Sequence, residues 1–406
     1  MHIRPIVSAL RRNKGGAVLI ALQMAVTLAI LCNAIFIVQQ RVARTERPSG
    51  VDETDDFVIE NQWIGTQANL VSLIQADLVA LRAIPTVRDA YATNVWPFAF
   101  ADPTIGITLH PDQPRSRKMA AVYLGDEHAM DTLGFKLSAG RNFNASDISD
   151  FRDASRVPPT RGILVTQALA EQLAPGGEVL GRVATLAPPA ISAPIVGIIK
   201  MLQAPAVNRH VGNANAGNSI VLPYRFISQA SYIVRAEPGR LAQALKVAPK
   251  ALARVSRQRV IYQEFSLAEE RHAAYSADST LALLLTLVCL VLLAVTALGI
   301  VGLTSYWVSQ RRRQIGIRRA LGATRLAIMR HFQTENLLIT AVGTVIGVAL
   351  AVAGNLWIVE RFAMGRLPYE YLLIGVAALL VLGQLAVLWP ALRAASVPPA
   401  VATRNI

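Results

Sequence analysis

Side chains that could carry out chemistry are few in this sequence of 406 residues. The six histidines form no H-E-x-x-H motif or other paired ligand spacing, and no G-x-S-x-G nucleophile motif occurs. The run containing Asp126, Glu127, His128 and Asp131 could bind a metal ion, but a solvated turn is the favoured interpretation. A phosphate-binding G-x-x-x-x-G-K-[ST] loop is absent from these residues. We therefore predict a chain that is not an enzyme and binds no metal or cofactor itself.

The composition indicates a membrane protein. Hydrophobic residues make up 53% of the chain and charged residues 16%, whereas soluble domains carry about 25% charged residues. Four apolar stretches, at residues 17–38, 280–308, 337–359 and 371–390, approach or exceed the roughly 20 residues that a membrane-spanning helix needs. Both cysteines lie inside these stretches, which excludes a disulfide-stapled scaffold. We predict four transmembrane helices.

The distribution of charge predicts the orientation of these helices. Residues 1–16, 309–336 and 391–406 together hold thirteen basic residues and one acidic residue, whereas residues 39–279 are nearly balanced. Because short cytoplasmic loops are rich in Lys and Arg, both termini should be cytoplasmic, with residues 39–279 and the short loop 360–370 outside. The net charge of +14 is thus a topology signal and not a sign of nucleic-acid binding. The first span is longer than a signal-peptide core, which favours a retained anchor over a cleaved signal.

The outer segment, residues 39–279, predicts a large α/β (α+β) domain of two lobes, inserted between the first two membrane helices. A strand at 56–64 is followed by a helical pattern at 72–82, and a further strand candidate lies at 107–110. A second β-α-β pattern, whose helix we expect to be interrupted at Pro249, closes the domain. The Gly- and Pro-rich stretch from about 119 to 223 predicts a lobe inserted into the first.

A stalk helix is predicted where the outer domain leads into the second span. Residues 266–308 contain no helix-breaking proline, and as one continuous helix they would extend about 65 Å. Such a rod could transmit displacement, with Glu269, Ala273 and Asp278 as candidate transmission residues. The alternative is a loop followed by a helix that begins only at the span.

The basic segment, residues 309–336, alternates arginines with apolar residues and predicts short amphipathic helices broken at Gly322. Such helices could dock on a cytoplasmic partner or could simply rest on lipid phosphates, and the pattern itself favours neither. Within the third span, Gly343 and Gly347 form a G-x-x-x-G motif, for which packing inside one subunit is favoured over a dimer interface. Three polar residues lie inside the predicted spans and are expected to form hydrogen bonds between them: Gln23, Asn33 and Gln384.

The basic segment also closely resembles the signature of FtsX/MacB-type ABC transporter permeases, R-x-x-E-I-G-I-x-x-A-x-G-A followed by a Glu before the third span. The matching residues are Arg311, Ile315, Gly316, Ile317, Arg318, Ala320, Gly322, Ala323 and Glu335. The tail at 390–404 and several segments of the outer domain resemble the same family in order. Gln314 stands where the family usually has Glu, which puts an ion pair at that position in doubt.

This resemblance implies the type VII ABC architecture, a dimer of four-span permeases whose cytoplasmic helix contacts an ATPase. Two copies of a separate ATPase chain would bind ATP and Mg²⁺, and the second permease could be an identical copy or a sister chain. Docking residues implied in this chain are Arg311, Ile315, Gly316, Ile317, Arg318, Arg319, Leu321, Gly322 and Ala323.

The resemblance further implies a place in the bacterial inner membrane, in contact with its lipid, with the large domain in the periplasm. Efflux of a substrate from the periplasm or the membrane is the expected function, with a possible periplasmic adaptor and outer-membrane channel as partners. Two alternatives remain: an FtsX-like mechanotransmitter that regulates an envelope hydrolase or sensor, and extraction of lipoproteins from the membrane.

Overall fold

The structure is a computed structural model that describes residues 14–65, 69–100, 103–112, 116–151, 157–187, 191–207, 216–227, 231–362 and 365–396. The chain forms two compact units. Residues 47–277 form the outer unit, and the residues up to 46 and from 278 onward form the membrane unit. Most of the predicted terminal segments, residues 1–13 and 397–406, lie outside the described residues.

The helices and strands follow one another through both units. The helices are α1 Lys14–Thr45, α2 Leu70–Arg82, α3 Ala129–Leu133, α4 Gln167–Leu173, α5 Leu241–Val255, α6 Leu267–Gln310, α7 Arg312–Ala320, α8 Arg325–Phe362 and α9 Tyr369–Ala395. The strands are β1 Asp56–Trp63, β2 Val87–Thr93, β3 Thr104–Thr108, β4 Lys118–Leu124, β5 Leu137–Gly140, β6 Ser149–Phe151, β7 Ile163–Thr166, β8 Val183–Ala187, β9 Ile191–Ile199, β10 Ser219–Leu222, β11 Tyr224–Phe226, β12 Ser231–Ala236 and β13 Arg259–Ser266.

Four helices in the described part of the chain, α1, α6, α8 and α9, are long and apolar enough to span a membrane. This confirms the predicted fold class, because the α/β domain lies between the first and second of them. The core of the membrane unit contains Ile20, Met24 and Leu28 of α1, all fully buried. By contrast, α6 leaves most of its large apolar side chains exposed within the single chain.

The first lobe of the outer unit is an antiparallel sheet in the order β13-β1-β12-β2. Side chains of α2 and α5 pack on one face of it, where Phe57, Ile74 and Leu252 are buried. The expected interruption at Pro249 is wrong, because α5 continues through that residue. Proline removes one backbone donor from a helix, but the buried row Ala244, Ala248 and Leu252 holds α5 on the sheet.

The inserted lobe contains the strand order β5-β9-β7-β10-β4-β3-β8, in which β8 also pairs with β9. The nine-residue β9 makes this possible, since its first half pairs with β8 and its second half with β7. The additional pairing closes a ring around a core that includes Ile107, Val165 and Ile195. The lobe begins earlier than the predicted residue 119, because β3 pairs with both β4 and β8.

The stalk helix agrees with its prediction, whereas the helices of the basic segment do not. The second membrane helix, α6, starts at Leu267, so the structure has the continuous stalk and not the alternative of a preceding loop. In the basic segment only α7 is a short helix. The residues after Gly322 that were expected to form a second short helix are instead the first turns of α8, which continues into the third span.

Candidate functional site

Helix α7 of the basic segment has two faces of opposite character. Ile315 and Gly316 are buried against the membrane unit. On the other face, Ile317 is 48% exposed and Leu321, at the end of the helix, is 83% exposed. Arg318 is exposed beside them. Helix α7 therefore presents large apolar side chains beside a cation on its exposed face.

The turn that follows α7 is defined by hydrogen bonds. Gly322 has a φ of +97°, a left-handed conformation that favours glycine because it has no Cβ. The amide of Ala323 donates to the carbonyl of Arg318 over 3.0 Å, as in a helix C-cap. The hydroxyl of Thr324 then accepts from the amide of Ala327 over 3.2 Å and caps the start of α8. Leu321 is thus presented at a rigid corner.

Arg311 faces inward, as do Ile315 and Gly316 of the implied docking set. Its Nη1 lies 3.0 and 3.2 Å from the two carboxylate oxygens of Glu335, whose side chain is almost fully buried. The pair joins the residue just before α7 to the third turn of α8. Gln314 is exposed on α7, so the ion pair of this segment is made without it. Arg311 therefore positions α7, whereas Ile317, Arg318 and Leu321 present its outer face.

The stalk root, residues 266–275, is held by its own domain. Ser266 and Glu269 form a capping box: the carboxylate of Glu269 accepts from the amide and hydroxyl of Ser266, both at 2.9 Å, and the Glu269 amide donates back to that hydroxyl over 3.2 Å. Ala273 is exposed on the helix. The role of Glu269 visible in the structure is thus to fix where α6 begins.

Two stalk-root residues were missed by the sequence analysis. Arg271 lies 2.5 Å from a carboxylate oxygen of Glu53 and donates to the carbonyl of Arg47 over 2.8 Å. Tyr275 is buried, and its hydroxyl accepts from Nε2 of Gln203 over 2.8 Å. Their spacing of four residues, which places both on one face of a helix, was the available signal.

The third predicted transmission residue, Asp278, belongs to the membrane unit. It is 1% exposed and forms an ion pair with Arg41 near the end of α1. Asp278 thus links α6 to α1 at the outer end of the two helices. Further along, the Gln23 amide donates to the carbonyl of Val295 over 3.1 Å, and the hydroxyls of Thr27 and Thr296 lie 2.8 Å apart.

The glycines of the third span face α1 of the same chain. A Cβ on Gly343 would lie 2.6 Å from the carbonyl oxygen of Ala21, and one on Gly347 would lie 2.9 Å from Cβ of Leu28. The Asn33 amide donates to the carbonyl of Ala351 over 3.1 Å. Nε2 of Gln384, in contrast, has no hydrogen-bond partner among the described residues.

The acidic run of the inserted lobe is a turn, but it is not solvated as expected. Asp126 is 1% exposed, and one of its carboxylate oxygens accepts from the amide of His128 over 3.0 Å. His128 itself lies 2.9 Å from Asp89. Within the part of the chain that the structure describes, no group of three His, Cys, Asp or Glu residues has the arrangement of a metal site.

Two protein-family models match this chain, each over a different part of it. The family model described as MacB-like periplasmic core domain matches residues 23–251. The model described as FtsX-like permease C-terminal matches residues 286–399. The first covers more than half of the chain, and the second includes the basic segment with α7.

Individual relatives are similar over part of their length. The Macrolide export ATP-binding/permease protein MacB of Chromobacterium violaceum is 28% identical over 231 residues, which is 54% of this chain and 32% of that protein. The Pyoverdine export ATP-binding/permease protein PvdT of Pseudomonas aeruginosa is 30% identical over 149 residues, 34% of this chain and 22% of that protein. The chain thus spans a third or less of the length of these curated relatives.

Among solved structures, the periplasmic region of MacB from Actinobacillus actinomycetemcomitans matches with a TM-score of 0.35 at 13% identity. The match covers 56% of this chain and 95% of that one.

Proposed function

Because this chain belongs to the family of permeases with a MacB-like periplasmic core domain and an FtsX-like C-terminal region, we propose that it is the membrane subunit of an ABC transporter whose ATPase is a separate chain. Two ATPase copies would bind ATP and Mg²⁺, and a second permease, identical or a sister chain, would complete the assembly. The 406 residues contain no phosphate-binding G-K-[ST] loop to bind nucleotide themselves.

The observation that carries this proposal is the outer face of α7. Ile317 and Leu321 are exposed beside Arg318, while Ile315 and Gly316 of the same helix are buried. An apolar centre with a rim of arginines is typical of a protein interface. The ATPase would therefore cover Ile317 and Leu321.

Transmission would follow α6, which is one helix from Leu267 to Gln310. The stalk root is fixed to the outer domain by Arg271 and Tyr275. At the other end, Arg311 directly follows α6 and fixes α7 to α8 through Glu335. A displacement of α7 by the ATPase would thus reach α6 without an intervening flexible loop.

The direction and the compartment are part of the proposal. The excess of Lys and Arg in the segments flanking the spans supports cytoplasmic termini and a large periplasmic domain in the bacterial inner membrane. The relatives are named for export of macrolides and of pyoverdine. We therefore expect efflux of a substrate from the periplasm or the inner membrane, with a periplasmic adaptor and an outer-membrane channel as possible further partners.

The test is copurification of the tagged chain from its native membranes in mild detergent, followed by ATP turnover of the purified assembly. Wild type should retain an ATPase, and the variant Arg318→Glu/Arg319→Glu should lose it while inserting normally into the membrane. The matched control is Arg366→Glu, an exposed arginine in the loop predicted to lie outside.

An ATPase that still copurifies with the double variant and keeps its stimulated turnover would contradict the docking surface. Copurification of an envelope hydrolase in place of an adaptor would instead favour the mechanotransmitter alternative.

A further inference from the structure

The two lobes of the outer unit share a buried apolar interface. Val58, Tyr91 and Ile233 reach it from the first-lobe sheet, and Tyr123 and Leu133 reach it from the inserted lobe. All five are almost fully buried. The two lobes therefore pack on each other through side chains, in addition to being connected by the backbone segments that run between them.

One short stretch of the inserted lobe, residues 125–134, makes several polar contacts at this interface, and we call it the docking segment. The His128 ring lies 2.9 Å from Asp89 of β2. Nη1 of Arg235 on β12 donates to the carbonyl of Asp131 over 2.9 Å. The amide of Asp52 donates to the carbonyl of Leu133 over 2.8 Å. These bonds depend on the position of the docking segment against the first lobe.

Asp126 lies within the docking segment, and its side chain is almost fully buried. One oxygen accepts from the amide of His128 over 3.0 Å, and the other has no hydrogen-bond partner among the described residues. Burial, followed by the neighbouring charge of Glu127, raises the pKa of Asp126 to about 6. Arg225 and His128 oppose this rise without cancelling it.

The other charged and titratable groups around Asp126 come from several elements. On β2 they are Asp89 and Tyr91, and the raised pKa of the fully buried Tyr91 reflects burial first and then the charge of Asp126. Arg225 on β11 is paired with Asp150 of β6 over 3.6 Å.

The charge of Asp56 of β1 also raises the pKa of Tyr91. The cation nearest to Asp56 is Arg235, and burial raises the pKa of Asp56 well above the usual range. No cation in the described residues forms an ion pair with Asp126 itself.

We propose that protonation of Asp126 locks the docking segment onto the first lobe, so that the two lobes are held together more tightly at mildly acidic pH than at neutral pH. The protonated carboxyl loses the charge that burial penalises and gains a hydrogen that it can donate. This regulation goes beyond the proposed function and does not require the ATPase.

The sign and size follow from linkage. A carboxyl whose pKa is raised in the docked state stabilises docking when it is protonated. This contribution is complete when the pH lies below the ordinary pKa of the carboxyl, and it is lost as the pH rises through about 6. If the undocked carboxyl titrates near 3.8, docking should be about tenfold more favourable at pH 5.0 than at pH 7.5.

Hydrogen exchange of the full chain in lipid nanodiscs would test the proposal, with rates corrected for the intrinsic effect of pH. The amides to follow are those of Asp52, Thr132 and Gly134, whose hydrogen bonds involve the docking segment. Their protection should rise about tenfold from pH 7.5 to 5.0, with most of the rise below pH 6. Amides of α5 in the first lobe are the internal reference.

Asp126→Asn should be protected at both pH values and show no rise as the pH falls. The matched control Asp131→Asn, an exposed carboxyl of the same segment, should behave as wild type. Wild-type protection that is independent of pH would overturn the proposal, as would a rise that begins only below pH 5 or is complete above pH 7. A pH dependence that persists in Asp126→Asn but disappears in His128→Gln or Asp56→Asn would overturn the proposal and assign the effect to His128 or Asp56. The wild-type titration keeps the test decisive if the asparagine variant fails to fold.

Discussion

The stalk root and the outer face of α7 both display arginines and large side chains, but they use them in opposite ways. In the stalk root, Arg271 is bonded to Glu53 and to the carbonyl of Arg47, and Tyr275 is buried with a hydrogen bond from Gln203. On α7, Arg318 is exposed and Leu321 stands in solvent. The first region satisfies its polar groups inside the chain, whereas the second leaves apolar surface for another molecule to cover.

This difference separates positioning from recognition within one family motif. Arg311 and Arg318 both match the family signature, yet Arg311 forms an ion pair with Glu335 inside the chain. We expect substitutions in the internally bonded group to change stability or transmission. Substitutions on the exposed face should change partner binding and leave stability nearly unaltered, because exposed side chains contribute little to folding.

The largest expected effect comes from breaking the stalk root. Insertion of Gly-Pro after Ala273 should abolish permease-stimulated ATP turnover, because proline and glycine interrupt the helix between the outer domain and the second span. The ATPase should still copurify in normal amount. The same insertion in the exposed turn at Gly176 and Gly177 is the control and should leave turnover unchanged. Retained turnover in the stalk variant would show that α6 need not be rigid.

A somewhat smaller effect is expected at the internal anchor of α7. Glu335→Ala would leave the charge of Arg311 buried without its partner, at a cost of about 3–5 kcal/mol. The thermal unfolding midpoint of the full chain in detergent should fall markedly. Glu360→Ala, on the exposed end of the same helix, should not lower it. Because removing both members of a buried pair can be nearly neutral, Arg311→Leu/Glu335→Leu should recover most of the loss. Equal midpoints for all these variants would mean that the pair does not hold α7.

The contrast between the two regions could be predicted only in part from the sequence. Apolar length located the four spans, and β-α-β alternation gave the two lobes, because both signals are local in the chain. The Arg311–Glu335 pair was missed since its members are 24 residues apart and meet only through the turn at Gly322. Arg271 and Tyr275 were missed for the same reason, because Glu53 and Gln203 are distant in sequence. The burial of Asp126 depends on the packing between lobes, which no periodicity encodes.

A moderate effect is expected from Tyr275→Phe in the stalk root. The change removes the hydroxyl that accepts from Gln203 and leaves that buried amide unsatisfied, at a cost of about 1–2 kcal/mol. The thermal midpoint of the outer unit should fall slightly, and ATPase binding should be unchanged. Tyr262→Phe, a tyrosine exposed on β13, is the matched control and should have no effect. An unchanged thermal midpoint in Tyr275→Phe would mean that Arg271, and not the Tyr275 hydroxyl, stabilises the stalk root.

The smallest expected effect concerns Gln314, the position at which the chain departs from the family signature. Gln314→Glu would place a carboxylate one helical turn before Arg318, and such a pair stabilises a helix by about 0.2–0.5 kcal/mol. Because Gln314 is exposed and Arg311 already has Glu335, the variant should bind the ATPase within about twofold of wild type. Titration of the purified ATPase against nanodisc-embedded variants would measure this. A tenfold change in either direction would mean that the ATPase contacts position 314 directly, and the docking surface would then extend beyond Ile317, Arg318 and Leu321 to the start of α7.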